Sequence, residues 1–242
     1  TSQTYMRLKS HVIIFLLSFF LVTDIYGKSD LKLRELDGDK YSWLLDQAIN
    51  CIAQDNEGFL WISTYGGILR FDGEEFMLMD NDPNDPSSLS DNTVRELVPD
   101  NYRGGIWICT GDGLDYFDPL LGKFRHAEFR KHGHDAVPIK GRINDVLVLE
   151  DKVICFGSSK VYQCRIDPDN RIFEELDMGF IPLSVCKYDD SLFLAADHKG
   201  IYAVDLNTMT SGSFASFQSS EYSNSILHYS PITDRIYAGN GI

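Results

Sequence analysis

The strongest constraint on this chain is a phrase written more than once. "GFLWISTYGGILRFDG" runs from Gly58 to Gly73, and "GGIWICTGDGLDYFDP" follows, with Trp107 placed 46 residues after Trp61. Self-similarity at a fixed period marks a repeat architecture, so the rest of the chain is read against that period. Three phrases recur in fixed order. The first is an apolar run ending on an acid: "INCIAQD" at Asp55, "VRELVPD" at Asp100, "INDVLVLE" at Glu150 and "LSVCKYD" at Asp189. The second is an apolar run with a turn, starting at Leu60, Ile106, Val153 and Leu192. The third is a short run ending on Asp72, Asp118, Asp167 and Asp205, which lie 46, 49 and 38 residues apart. A fifth unit opens with "NSILHYSPITDRIYAGNGI".

The runs are rich in Ile, Val, Phe, Tyr and Trp, which suit a pleated, half-buried surface. Asp and Gly punctuate them: Asp hydrogen-bonds the backbone of a turn, and Gly supplies positive φ. "GEEFMLMD" and "GKFRHAEF" read as fourth strands, so each unit is a four-stranded antiparallel meander. Apolar side chains on both faces require cover on both faces. Sheets of this kind repeated about every 44 residues stack radially, which predicts an all-β fold, a β-propeller. A helical repeat is disfavoured, because Gly or Asp interrupts every apolar stripe at helical spacing. The predicted blades lie near 47–88, 89–138, 139–180, 181–222 and 223–242, the last truncated. An incomplete ring of four blades and part of a fifth marks the N-terminal piece of a longer protein. Residues 28–46, with "LKLRELDGDKYSWLL" at Leu31–Leu45, are candidates for a ring-closing strand.

Ahead of the repeats, Arg7 and Lys9 precede the apolar run "VIIFLLSFFLV" (Val12–Val22), with Met6 as the expected start. This is the pattern of a signal peptide over residues 1–27 and predicts export; at 11 residues the run is short for a membrane span. With 22 Lys and Arg against 36 Asp and Glu, the net charge of −14 repels nucleic acid and anionic lipid, and is compatible with neutral ligands such as sugars. The five cysteines, Cys51, Cys109, Cys155, Cys164 and Cys186, fit no zinc or redox spacing and read as buried thiols, with one disulfide left open.

These phrases resemble a known family. "IAQDNEGFLWISTYGGILRFDG", the loop "NDPNDPSSLSDNTV" (Asn81–Val94) and "GGIWICTGDGLDYFDPLLGKF" are similar to two-component regulator propeller repeats, through Trp61, Thr64, Gly67, Asp72, Trp107, Thr110, Gly113 and Asp118. Ile154 and Phe193 replace the tryptophan in the third and fourth units. The resemblance implies the periplasmic sensor of a Bacteroidetes hybrid two-component system. Such a protein detects an oligosaccharide and signals through an inner-membrane parent carrying further blades, a histidine kinase and a receiver, a homodimer at full length. No kinase motif lies in this chain, so it is expected to be non-catalytic. A secreted lyase-like propeller enzyme and an extracellular interaction propeller are the alternatives.

Several residues are candidates for chemistry. Trp61 and Trp107 sit mid-strand at the blade period and read as packing between blades rather than as sugar platforms. Asp72, Asp118, Asp167 and Asp205 each precede a turn residue and read as turn caps rather than as a calcium ring. "HGHD" (His132–Asp135), with His126 upstream, lacks a placed third ligand and reads as a solvated loop, so no metal and no cofactor is expected. Ligand contacts are expected in the loops between second and third strands, where Tyr65, Asp112, Lys160 and His198 stand, with Asn240 as the fifth. The surrounding glycines recur while these residues vary, as in a scaffold that keeps its loop backbone and changes its loop chemistry.

Overall fold

A computed structural model describes residues 44, 48–165, 172–216 and 225–240. The chain divides into two compact units, Thr1–Leu45 and Asp46–Ile242. The first lies almost wholly outside the described residues, and with it the expected leader; most of the ring-closing segment and Asp167 also lie outside them.

The second unit is built from strands. β1 (Ile49–Gln54), β2 (Leu60–Thr64), β3 (Gly67–Phe71) and β4 (Phe76–Met79) form one antiparallel sheet in chain order, the first blade. β5 (Val94–Pro99), β6 (Ile106–Thr110), β7 (Gly113–Asp118) and β8 (Lys123–His126) form the second blade. A hairpin of β9 (Glu128–Arg130) and β10 (Ala136–Pro138) follows. β11 (Ile143–Val148), β12 (Lys152–Gly157), β13 (Val161–Arg165) and β14 (Ile172–Leu176) form the third blade. β15 (Ser184–Lys187), β16 (Leu192–Ala196), β17 (Gly200–Asp205) and β18 (Ser211–Ser216) form the fourth, and β19 (Ser225–Ser230) pairs with β20 (Arg235–Asn240) in a fifth.

The first strands pack side by side, β1 on β5, β5 on β11, β11 on β15 and β15 on β19, so they are the innermost strands of a radial stack. The core is correspondingly a series of layers between blades. Trp61 and Ile68 of the first blade bury against Leu97, Ile106 and Phe117 of the second. Trp107 and Tyr116 of the second meet Val153, Tyr162 and Phe173 of the third. Ile154 and Phe156 of the third meet Phe193 and Val204 of the fourth, and Leu194 of the fourth meets Leu227. Trp61 stands edge-on to Phe117 at 5.0 Å, and Trp107 edge-on to Phe173 at 6.0 Å. Both tryptophans therefore lie in the inter-blade layers, buried to within 3%.

The turn chemistry is local. Asp72 accepts the backbone N–H groups of Glu74 and Glu75, Asp118 those of Leu120 and Leu121, and Asp205 those of Asn207 and Thr208. These are Asx-type caps of the third-to-fourth-strand turns. Gly67 and Gly113 open the third strands at φ of 124° and 146°. A Cβ there would meet the carbonyl oxygens of Met79 and Ile139 at 2.5 and 2.8 Å, so close approach of the neighbouring backbone explains the recurring glycine.

Two features depart from the sequence reading. "GKFRHAEF" is not one strand: β8 stops at His126, and β9 leaves the second blade to run parallel to β14 on the outer edge of the third. Ala127 marks the break; its N–H donates to Leu114 O while its carbonyl accepts from Ile139 N–H. Phe129 then packs on Tyr162 at 5.1 Å, so residues 128–138 widen the third blade to six strands. The inner strands β1, β5 and β11 also carry a β-bulge, with Asn50, Arg95 and Asn144 as the extra residues. The Asn50 and Asn144 side-chain amides donate across to the next blade, to Val94 O and Pro182 O.

Candidate functional site

The longest connection between described strands that contains no strand of its own is the link from the first blade to the second, the loop at Asn81–Val94. It is held by its own side chains. Asn81 donates to Leu89 O and Ser90 O while its N–H reaches Asn92 Oδ1, Asp82 and Asp85 cap the turns at Asn84 and Ser87, and Leu89 is fully buried beneath. Such a loop is ordered without belonging to a sheet, the usual way a scaffold presents a binding surface.

A buried carboxylate ties this link to the second blade. Asp115 is fully buried on β7. Its Oδ2 accepts Ser90 N–H at 2.8 Å, and its Oδ1 lies 2.7 Å from His126 Nδ1. The other ring nitrogen, Nε2, lies 3.0 Å from Pro86 O. A carboxylate and a carbonyl both accept, so the ring donates from both nitrogens and is held as an imidazolium. The hydrogen bond to Asp115 raises the His126 pKa above its ordinary 6.5, against an opposing effect of partial burial.

Beside this pair lies a cavity of about 200 Å³. One wall is the link, the second is the β6–β7 turn at Asp112 and Gly113, and the third is the strap Pro138–Lys140 that leads into the third blade. Asp112 accepts Lys140 Nζ and Gly141 N–H, both at 3.0 Å, and these two bonds hold its carboxyl below the usual range. The walls thus present carboxylate, ammonium, hydroxyl and backbone groups, the mixed donors and acceptors that a polyhydroxylated ligand needs.

The candidate residues distribute unevenly over this geometry. Tyr65 is two-thirds exposed at the β2–β3 turn. Lys160 sits in the β12–β13 turn and is engaged with Glu175 at 2.7 Å. His198 is exposed in the β16–β17 turn. Asn240 ends β20, and its side chain lies outside the described residues. The four others occupy equivalent turns of successive blades, and among the described residues none hydrogen-bonds to another; only Asp112 lines the cavity. Lys140, Ser90 and Asp115 were not among the candidates, and His126, read with the His132–Asp135 loop, instead ends β8 and faces Asp115. Ser90 and Lys140 lie in links outside the repeated phrases, while Asp115 and His126 lie within strand phrases at positions whose residue type does not recur, so periodicity carried no signal for them. His132 and His134 are exposed at the tip of the β9–β10 hairpin, and among the described residues no group of His, Cys, Asp and Glu could hold a metal.

Nearer the axis, acids bridge neighbouring blades. Cys51 Sγ donates to Glu96 Oε1 at 3.2 Å, from the first blade to the second. Asp145 of the third blade accepts Val185 N–H at 2.8 Å and the Ser184 hydroxyl at 3.3 Å from the fourth, and the same hydroxyl accepts Leu227 N–H from the fifth. Burial, with repulsion from Glu96, pushes the Asp145 carboxyl up to about 7, and burial raises Glu96. All five cysteines are free, and burial pushes the Cys51 thiol up to about 12, which leaves it inert as a nucleophile.

Comparison with known proteins agrees with the repeat and the fold. Residues 44–66 match the two component regulator propeller repeat. Among solved structures the chain is similar to the extracellular domain assigned to a hybrid two component system of B. thetaiotaomicron, at 17% identity and a TM-score of 0.63 over 79% of this chain and 27% of that one. It is also similar to the extracellular domain assigned to a one component system of the same organism, at 15% identity and a TM-score of 0.54 over 79% and 28%. A gluconolactonase of Xanthomonas campestris aligns at 11% identity and a TM-score of 0.59 over 80% of this chain and 69% of that one. The chain therefore spans about a quarter of the two B. thetaiotaomicron domains. No curated protein matches. Identities this low speak for the fold, a β-propeller, and the match over residues 44–66 identifies one two component regulator propeller repeat at the first blade.

Proposed function

We propose that this chain is the ligand-sensing part of an exported two-component sensor. In this reading it binds an oligosaccharide at the face carrying the second-to-third-strand turns, and passes the bound state to a histidine kinase elsewhere in the same protein. The observation that carries the reading is the cavity of about 200 Å³ at Asp112, Gly113 and Lys140, walled by an ordered link that belongs to no sheet. Its size and mixed polarity suit one sugar ring of a longer chain, and the net charge of −14 favours a neutral glycan over an anionic polymer. Tyr65, Lys160, His198 and Asn240 would meet further rings.

Binding fits this site better than catalysis. His126, the imidazole at the cavity, has both ring nitrogens engaged and is held charged, so it is not poised as a general base. The leader would export the chain to the periplasm, and the parent, a homodimer in the inner membrane, would supply the remaining blades and the kinase. A ligand shifts such a switch only by the difference in its affinity for the two states, so the link, which touches both blades and the cavity, is the element whose arrangement the ligand would bias.

Calorimetric titration of the protein with a panel of neutral gluco-, xylo-, manno- and fructo-oligosaccharides tests the reading. One class should bind, and Asp112→Ala should weaken it about tenfold, ~1.4 kcal/mol, with little change in melting temperature. Equal affinity in Asp112→Ala, or no binding across the panel, contradicts it.

A further inference from the structure

A second cavity, of about 540 Å³, opens on the other side of the same link. It lies between the outer parts of the first two blades. Arg70, Met77 and Met79 come from the first, Phe117, Lys123 and Phe124 from the second.

Arg70 is the unusual member. Its guanidinium carbon stands 3.6 Å from the Phe59 ring centroid, 5.4 Å from Trp61 and 5.9 Å from Phe117. Aromatic contacts of this kind hold the plane of the guanidinium and attract its charge through the ring faces. They do nothing for the N–H donors, which lie in the plane. Nε is buried and has no hydrogen-bond partner. Among the described residues Arg70 enters none of the ion pairs, which belong to Arg103, Arg125, His126, Lys140, Lys160 and Lys187. Asp80, Asp82 and Asp85 line the same cavity and do not pair with it; Asp82 and Asp85 each turn one oxygen to the link's own backbone. Asp72 acts on the guanidinium through space without forming an ion pair, so a part-buried cation held by rings keeps a buried donor that nothing accepts, which is costly unless something else does.

We infer that this cleft binds a monocarboxylate with an apolar body. The carboxylate reaches Arg70 from the cavity side, and the body packs on Met77, Met79 and Phe124. The three aspartates disfavour a doubly charged group such as phosphate, while Lys123 offsets part of their field. An aryl acid and an acidic sugar, whose C–H face packs on rings, both present this chemistry. The site is distinct from the one at Asp112, and the inference does not depend on the oligosaccharide reading.

The test is a titration of the protein with phenylacetate and with glucuronate, using phenylacetamide and glucose as neutral controls. It is read by calorimetry and by the Arg70 Nε–H resonance. One carboxylate should bind saturably and shift that resonance, and which one does so identifies the source. Its amide or neutral counterpart should not bind. Arg70→Met should weaken binding at least tenfold, Arg70→Lys should retain part of it, and Asp112→Ala should leave it unchanged. The inference is overturned if neither acid binds, if the neutral controls bind equally, or if Arg70→Met binds as the parent does. A more stable Arg70→Met protein with no ligand response identifies a packing arginine and also overturns it. Should Arg70→Met fail to fold, Arg70→Lys decides: undiminished affinity in that variant, or an Arg70 resonance that the acid does not move in the parent protein, counts against the site.

Discussion

The first two blades and the next two share a backbone and differ in what fastens it. In the first two, the tryptophan of the second strand bonds back to the acid that ends the first strand: Trp61 Nε1 to Asp55 Oδ2 at 2.7 Å, and Trp107 Nε1 to Asp100 Oδ2 at 3.1 Å. The same acids close the intervening turn by accepting Phe59 N–H in one blade and Arg103 N–H in the other. In the next two, Ile154 faces the following blade as the tryptophans do, while Phe193 packs back on the third blade and Leu194 faces the fifth; all are buried and apolar with no polar end. Glu150 is exposed there, and Asp189 closes its turn on Ser191 and Leu192 alone. A blade needs an apolar side chain at that position and a closed turn beneath it. The tryptophan–aspartate bond supplies both at once, and aliphatic blades supply them separately.

Substitutions can break that comparison, starting with the largest effect. Trp107→Ala should cost about 3–5 kcal/mol, because it opens a cavity between the second and third blades and removes one of the hydrogen bonds to Asp100. Ile154→Val, at the same position of an aliphatic blade, should cost only about 0.5–1.5 kcal/mol in the same denaturant titration. A sharper contrast comes from the acids. Asp100→Ala leaves a buried indole N–H, two turn amides and the Arg103 guanidinium without their acceptor, so about 2–3 kcal/mol should be lost. Glu150→Ala, at the equivalent place in the third blade, should stay within about 0.5 kcal/mol. Equal losses at the two acids would show that the tryptophan bond is incidental.

The smallest effect concerns the link. The fold holds His126 protonated and raises its pKa, so its stabilisation is complete below the ordinary value of 6.5 and fades as pH rises through the higher folded value. The melting-temperature difference between the parent and His126→Ala, followed from about pH 5 to about pH 9, should therefore shrink toward alkaline pH. A difference that grows with pH would mean that the ring is bound neutral.

The blades were legible because their determinants repeat. The acid, the tryptophan, the glycine and the turn aspartate recur at one period, and each has a local job that sterics and hydrogen bonding make predictable. The hairpin at Glu128–Pro138 was not legible, because its attachment to β14 depends on Phe129 meeting Tyr162 across blades, a contact with no local signal. The bulges at Asn50, Arg95 and Asn144 were hidden for a similar reason: an extra residue changes the register of a strand without changing its composition. Of the candidate contacts, Asp112 fell at the cavity because its turn was correctly placed. Its neighbours Lys140 and Ser90 come from links between blades, where the sequence repeats nothing, and His126 ends β8 at a position whose residue type does not recur.

The cavity beside Asp112 is the proposed place where a glycan is read. Amide chemical-shift mapping with the neutral oligosaccharide panel tests this most directly. The prediction is a saturable set of shifts centred on Ser90, Asp112, Gly113 and Lys140, extending along the link, with the Trp107 and Ile154 layers silent. Shifts confined to other faces, or none with any member of the panel, would contradict it.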